Sequence, residues 1–284
     1  MPDKPPDQSE APHAGQRLTR ADVERLIAEH GGPEGLDLRG ADLQHSDLRK
    51  LDLHEADLRE ANLNGALLQE AVLEGAKLDN AHLVGGADLR GAWLEGASLQ
   101  GARLWRANLQ AAELVGANLR EADLTWSNLS SADLRRANLE AARLCGAHLL
   151  GAYLEWARLR HVYLHGVGLG NVTHPNTGRT VATDLANADW GDYVIGEELA
   201  GEFEQAEAVY RMLKEWHRQH GHYDVASEFT YRENVVRTKA MGQQATQEWD
   251  KVNQQARKEL QALTKSWGDL IAPLRERWMR LIHR

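Results

Sequence analysis

The chain has 284 residues, enough for two domains, with a formal net charge of −9 and no long run of one sign. It holds no stretch of 18 apolar residues, so no transmembrane helix is expected within it, and its start lacks the apolar region of a signal peptide. Its one cysteine, Cys145, excludes an internal disulfide and fits a reducing cytoplasm.

Residues 1–17 are rich in Pro, Asp, Ser and Gln, which predicts a disordered tail. Residues 18–35 predict an N-terminal capping helix. In "LTRADVERLIAEHGG", Thr19 is placed to cap the helix, with Asp22 three residues on. Leu18 and Val23 are spaced for a hydrophobic staple, and Gly31 and Gly32 end the helix. Val23, Leu26 and Ile27 form an apolar face suited to covering the open end of the segment that begins at Leu36.

From Leu36 to Gly170 a leucine recurs every five residues. Ten run from Leu38 to Leu83 and seventeen from Leu89 to Leu169, 27 in all. The residue two places before each is almost always Ala; the exceptions are Leu36, Ser46, Leu51, Ser127, Val162 and Val167. A helix repeats its apolar face at 3.6 residues and a strand at 2, so a period of five fits neither. A fixed period sustained over this length means a repeat architecture. The one fault lies between Leu83 and Leu89, where Gly85 and Gly86 suit a backbone bulge.

Units such as "ADLRE" (56–60), "ANLNG" (61–65) and "ANLRE" (117–121) resemble the pentapeptide-repeat family. The resemblance implies a mainly β fold: a right-handed, four-sided parallel β-helix with one unit per side, here about seven coils. In that fold the central Leu and the small residue two before it point inward, and the remaining positions point outward. Coils stack roughly 4.8 Å apart, giving a rod about 30–35 Å long. Cys145 comes just after an inward leucine, so an exposed thiol is expected.

Residues 171–195 read as a linker by their Gly, Pro, Asn and Thr content, with a last partial coil centred on Leu185 and Trp190. Residues 196–284 predict an α-helical hairpin and a basic amphipathic tail. One stripe runs through Leu199, Phe203, Ala206, Val209, Tyr210, Leu213 and Trp216, and a second helix begins after Gly221. The stretch from about Thr246 to Trp267 is more polar. The tail "WGDLIAPLRERWMRLIHR" carries Trp278 on an apolar face and Arg280 among several arginines, suited to an anionic membrane surface. The segment 190–233 is similar to the one that succeeds the repeats in a subgroup of the family, where it leads into transmembrane, channel-like modules. That likeness implies a cytoplasmic protein that lies at a membrane.

No phosphate loop, nucleophile elbow or HExxH occurs, so an enzyme is not expected. No metal or cofactor site is expected either: His217, His220 and His222 lie in a helix end and turn without Cys or carboxylate at metal-site spacing, and the macrodipole accounts for His217 and His220. Asp37, Asp42, Asp47, Asp52 and Asp57 read as solvated surface. The outward aromatics Trp93, Trp105, Trp126, Tyr153 and Trp156, with Trp278 and Arg280, are the candidate interaction residues. Tyr153, Trp156 and Tyr163 are expected to be covered by the helical hairpin. The expected role is a non-enzymatic scaffold that binds a protein partner, a second copy through the C-terminal helices, or an anionic membrane. The alternative is a DNA mimic of the kind by which some pentapeptide-repeat proteins protect gyrase. Between Leu36 and Gly170 there are 18 acidic and 14 basic residues, −6 before Gly96 and +2 after it, which argues against that alternative. No direct nucleic-acid binding is expected.

Overall fold

The computed structural model describes residues 11–173, 180–185, 187–190 and 195–282, and gives the backbone alone for residues 171–173, 180–182, 256, 257 and 260–282. Each five-residue unit forms one side of a square turn. Asp37 pairs in parallel with Asp57, Asp57 with Lys77 and Lys77 with Ser98, and equivalent columns begin at Asp42, Asp47 and Asp52. Four units therefore complete a coil, and the repeats form a four-sided parallel β-helix. Each side contributes one bridged pair rather than an extended strand. The regular strands among the described residues are β1 (Asn171–Thr173) and β2 (Thr180–Ala182).

The sequence period comes from this geometry. The Leu N–H donates to the next coil, as from Leu99 to the Asn118 carbonyl at 2.7 Å, and the Ala N–H closes the corner, as from Ala102 to the Leu99 carbonyl at 3.0 Å. Leu and Ala side chains stack inside as a ladder that is almost wholly shielded from solvent. The residue two after each Leu turns the corner with positive φ, which favours Gly, but Arg106, Trp126 and Trp156 also adopt it. At the fault, Gly85 and Gly86 take φ of 72° and 85°. The extra residue is absorbed in the turn: Leu67 pairs with Asp88, and the stacking continues from Asp88 to Asn108.

The N-terminal segment corrects one expectation. Residues 11–17 are not a free tail. Arg17 pairs in parallel with Asp42, and the Gly15 N–H donates to the Gly40 carbonyl at 2.8 Å. The open edge of the first coil offers unpaired backbone groups, and this segment satisfies them. Residues 1–10 lie outside the described residues. Helix α1 (Arg20–His30) comes next, with a capping box between Thr19 and Asp22 and Gly31 in the left-handed conformation at its end. Val23 is buried, and Arg20 donates to the carbonyls of Asp47 and Arg49.

Beyond the repeats, part of the segment read as a linker is an antiparallel hairpin, β1 on β2. Asp184 and Asp189 then pair in parallel with Tyr153 and Arg158, and Leu185 and Trp190 are buried. Helices α2 (Gly196–Leu199), α3 (Phe203–Gln219) and α4 (Tyr223–Ile282) complete the chain. Leu213 of α3 and Trp190 line one small cavity with the last leucines of the ladder, so the apolar interior ends on these two side chains. The chain divides into two compact units, Met1–Glu233 and Asn234–Arg284. Within the first, α3 meets the start of α4 through Tyr210 against Phe229 and through Lys214 and Arg211 on the Glu233 carboxylate. The second helix after Gly221, the more polar stretch from about Thr246 and the tail, told apart in the sequence, are one continuous helix. The Gln, Glu, Lys, Arg and Ala content of α4 favours helix throughout, and the helix continues through Pro273.

Candidate interaction surface

The outward arginines of the β-helix differ in how their charge is met: Arg120 pairs with Glu121 and Glu140, Arg160 with Asp189, and two further groups stand out. The first group sits two residues after an aspartate and pairs with it. Arg39 with Asp37, Arg49 with Asp47, Arg59 with Asp57, Arg90 with Asp88 and Arg135 with Asp133 all meet at 2.5–2.7 Å. Hydrogen bonds from Arg49 pull the Asp47 carboxyl down to about 2. Such pairs neutralise the surface locally and stabilise it little.

Arginines without an ion pair among the described residues include Arg136 and Arg158, and three others lie along one edge in the later coils. Arg103, Asp123, Arg143 and Tyr163 stack in one column, and the corner beside that column carries Trp105, Arg106 and Trp126. Among the described residues no ion pair involves Arg103, Arg106 or Arg143. Arg106 instead lies over the Trp105 ring at 4.5 Å, and Arg143 over Tyr163 at 5.2 Å. The Trp126 indole lies across Gly146: a Cβ there would come within 2.7–2.9 Å of three ring carbons. Glycine at 146 therefore gives the indole its seat, while Trp126 remains 61% exposed and Trp105 38%. Asp123 is the one carboxylate on this edge, and it accepts from the Thr125 N–H. In the later coils the next face, Asn108, Asn128, His148 and Gly168, has none, and Asp88 below it is paired with Arg90. The result is an edge bearing exposed indoles and guanidinium groups without ion pairs.

The other aromatics are placed differently. Trp93 is exposed in the same column as Glu113, Asp133 and Tyr153. Burial and the neighbouring Glu95 carboxylate push Glu113 upward in pKa. The expectation that the helical hairpin covers Tyr153, Trp156 and Tyr163 needs correction. Trp156 is 61% exposed at its corner and Tyr153 is half-buried. The covered ring is Tyr163, against which Gly196 lies so closely that a Cβ would come within 2.4–2.5 Å of three ring carbons. Trp278 and Arg280 belong to the part of α4 whose side chains lie outside the described residues.

The end of the coil is closed by residues that carry no repeat signal. The Leu164 and His165 N–H groups have no further coil to donate to. Both donate to one carboxylate oxygen of Glu197, at 2.5 and 2.6 Å. Glu197 is wholly buried and its other oxygen has no partner, so desolvation raises its pKa. Thr183 does similar work: its hydroxyl donates to the Leu149 carbonyl and accepts from the Gly170 N–H. The Tyr210 hydroxyl donates to the Glu198 carboxylate and accepts from the Ile195 N–H. Cys145, expected to be exposed, is half-buried, and burial raises its thiol pKa. His217 is buried among Trp190, Trp216, His222 and Phe229, and desolvation lowers it to about 4, so it is neutral at ordinary pH. Among the described residues no group of three or more His, Cys, Asp or Glu is arranged to hold a metal.

The class of protein is thus a solenoid of five-residue units with an aromatic and basic edge. The family model for pentapeptide repeats matches residues 37–75, 56–92, 87–125 and 127–166, and the repeat region belongs to that family, whose fold is the right-handed quadrilateral β-helix. Similar solved structures include HetL, a pentapeptide repeat protein involved in heterocyst differentiation regulation in the cyanobacterium Nostoc. HetL is 26% identical over 61% of this chain and 94% of its own, with a TM-score of 0.23. A pentapeptide repeat protein of the Arabidopsis thaliana thylakoid lumen is 25% identical over 50% of this chain and 82% of its own, with a TM-score of 0.26. QnrB1, a plasmid-mediated fluoroquinolone resistance protein, is 18% identical over 57% and 88%, with a TM-score of 0.24. No curated protein matches the chain.

Proposed function

We propose that the chain is a non-enzymatic scaffold that binds a partner protein through the edge built by Trp105, Trp126, Arg103, Arg106 and Arg143. About seven coils hold this edge rigid, with α1 closing the N-terminal end and α2 and α3 the C-terminal end. The carrying observation is that two exposed indoles and three guanidinium groups without ion pairs share one edge, while Arg39, Arg49, Arg59, Arg90 and Arg135 each pair with the aspartate two residues before. Trp, Tyr and Arg are the residues that dominate binding energy at protein interfaces. The free guanidinium groups select a partner surface that presents carboxylates. Mimicry of duplex DNA, the alternative that the family resemblance raises, needs a strong negative field. The coils beyond Gly96 carry +2, and the unneutralised arginines work against it.

The experiment is quantitative capture on the immobilised full chain, compared with the variant Trp105→Ala/Trp126→Ala and with Trp93→Ala as a control from another face. Proteins held by the native chain and by the control should fall at least about tenfold on the double variant, the loss expected for truncating interface anchors. Equal capture by all three refutes the reading.

A further inference from the structure

Helix α4 carries a second regularity, of eleven residues. From Met241 the spacing 4-4-3 repeats without fault to Ile282 and meets an apolar residue at each of its twelve positions, beginning Met241, Ala245, Trp249, Val252. Of the thirty positions between them, five are apolar. Eleven residues span three turns of about 3.67 residues, so such a stripe stays on one face of a nearly straight helix. Its first four members lie in the described part of the second unit, and all four are exposed, Trp249 by 66%. The stripe is roughly 60 Å long. At a width of about 10 Å it offers on the order of 600 Å², near the roughly 800 Å² that each partner gives to a stable interface.

We propose that this face is covered by α4 of a second copy of the chain, the two helices running antiparallel about a point between Leu260 and Leu263. Two observations select this occupant and this direction. The first is volume. Antiparallel pairing about that point sets Ala245 opposite Trp278, Ala256 opposite Trp267, Val252 opposite Ile271 and Leu260 opposite Leu263. Both alanines meet tryptophans, and apart from the larger layer of Trp249 opposite Leu274 the layers have similar volume, as close packing requires. Parallel pairing would set Trp on Trp and Ala on Ala, leaving layers alternately crowded and empty. The second is charge. Antiparallel pairing sets Glu248 opposite Arg275 and Asp250 within about a turn of Arg277, whereas parallel pairing would gather Arg275, Arg277 and Arg280 of both copies.

Residues 234–284 hold ten Lys and Arg against five Asp and Glu. The two segments therefore repel at long range, and salt screens that repulsion. A pair of copies holds or tightens as salt rises. Binding of the same basic face to an anionic membrane weakens instead.

The test is sedimentation velocity of the full chain up to roughly 100 µM, where mass action favours association. The expected result is a species of twice the 31.7 kDa chain mass that persists at high salt. Leu263→Glu should weaken it tenfold or more without changing the thermal transition of the repeats. Direction is read on a Cys145→Ser background with spin labels at Gln247 or Gln254. The antiparallel pair puts the label-to-label distance about 20 Å longer at 247 than at 254, and a parallel pair makes the two equal. A monomer throughout overturns the proposal, as do a dimer that Leu263→Glu leaves intact and equal label distances. A monomer that binds phosphatidylserine vesicles at low salt only also overturns it and assigns the face to a membrane. None of these readouts involves the Trp105 and Trp126 edge, so the two proposals fail independently.

Discussion

Glu197 is the position where one atom replaces a missing coil. Its oxygen takes the two N–H groups of Leu164 and His165 that the next coil would otherwise accept. Glu197→Ala removes that acceptor from a site that excludes water. Each orphaned buried donor costs about 1–3 kcal/mol, so with two of them the end of the ladder should lose roughly 2–6 kcal/mol. Glu197→Gln keeps an oxygen in place and removes the charge. The folded-state pKa of Glu197 is raised above its ordinary 4.5 by desolvation, so folding favours the protonated acid. Wild-type stability relative to Glu197→Gln is therefore fully present below about 4.5 and is lost as pH rises through the folded pKa. At neutral pH the Gln variant should be at least as stable as wild type, and the difference should close on acidification. Hydrogen exchange over residues 160–170 reads the local effect. The Ala variant should exchange about thirtyfold faster or more, since 1.4 kcal/mol is about tenfold. Unchanged exchange in Glu197→Ala, or equal damage from Gln and Ala, refutes the reasoning.

Two further outcomes test the interior. Ala107 is 1% exposed in its slot between stacked leucines, so Ala107→Leu should cost about 1–3 kcal/mol by overpacking, while the outward Asn108→Leu should cost little; equal melting temperatures would contradict the register. Ser46 and Ser127 both occupy the small inward position, but the Ser46 hydroxyl donates to the Leu43 carbonyl at 2.7 Å and Ser127 Oγ has no partner. Ser127→Ala should therefore stabilise by about 1 kcal/mol and Ser46→Ala should not, a difference that urea titration resolves.

How much was legible in the sequence depends on the range of the interaction. The five-residue period encodes contacts between residues twenty apart that occur on every side of every coil, so the ladder of Leu and Ala and the bulge at Gly85 and Gly86 are written many times over. The ends are written once. Glu197 reaches back 33 residues to Leu164 and Thr183 reaches 34 to Leu149, and neither belongs to a pattern. Residues 11–17 look like tail by composition because what orders them is an unpaired coil edge, not their own side chains. The exposure of Trp156 and the cover over Tyr163 depend on where Gly196 lies, and no local property of either aromatic announces it.

The edge at Trp105 and Trp126 was partly legible, and its signal is a rule about spacing. On a β-helix side the residue before the central Leu and the residue after it point to the same exterior, which is why Asp-Leu-Arg closes an ion pair within one unit in five separate places. An arginine before the Leu, like Arg103 or Arg143, has no aspartate at that spacing, and Arg106 at the corner has none either. Their charge is met by a carboxylate of another coil, by water or by a partner. Arg160, after Leu159, shows the first solution by reaching Asp189 at 3.1 Å. Arg103, Arg106 and Arg143 have only Asp123 on their edge, and that carboxylate accepts from the Thr125 N–H. With two exposed indoles beside them, the proposed partner is one that brings carboxylates and apolar area together.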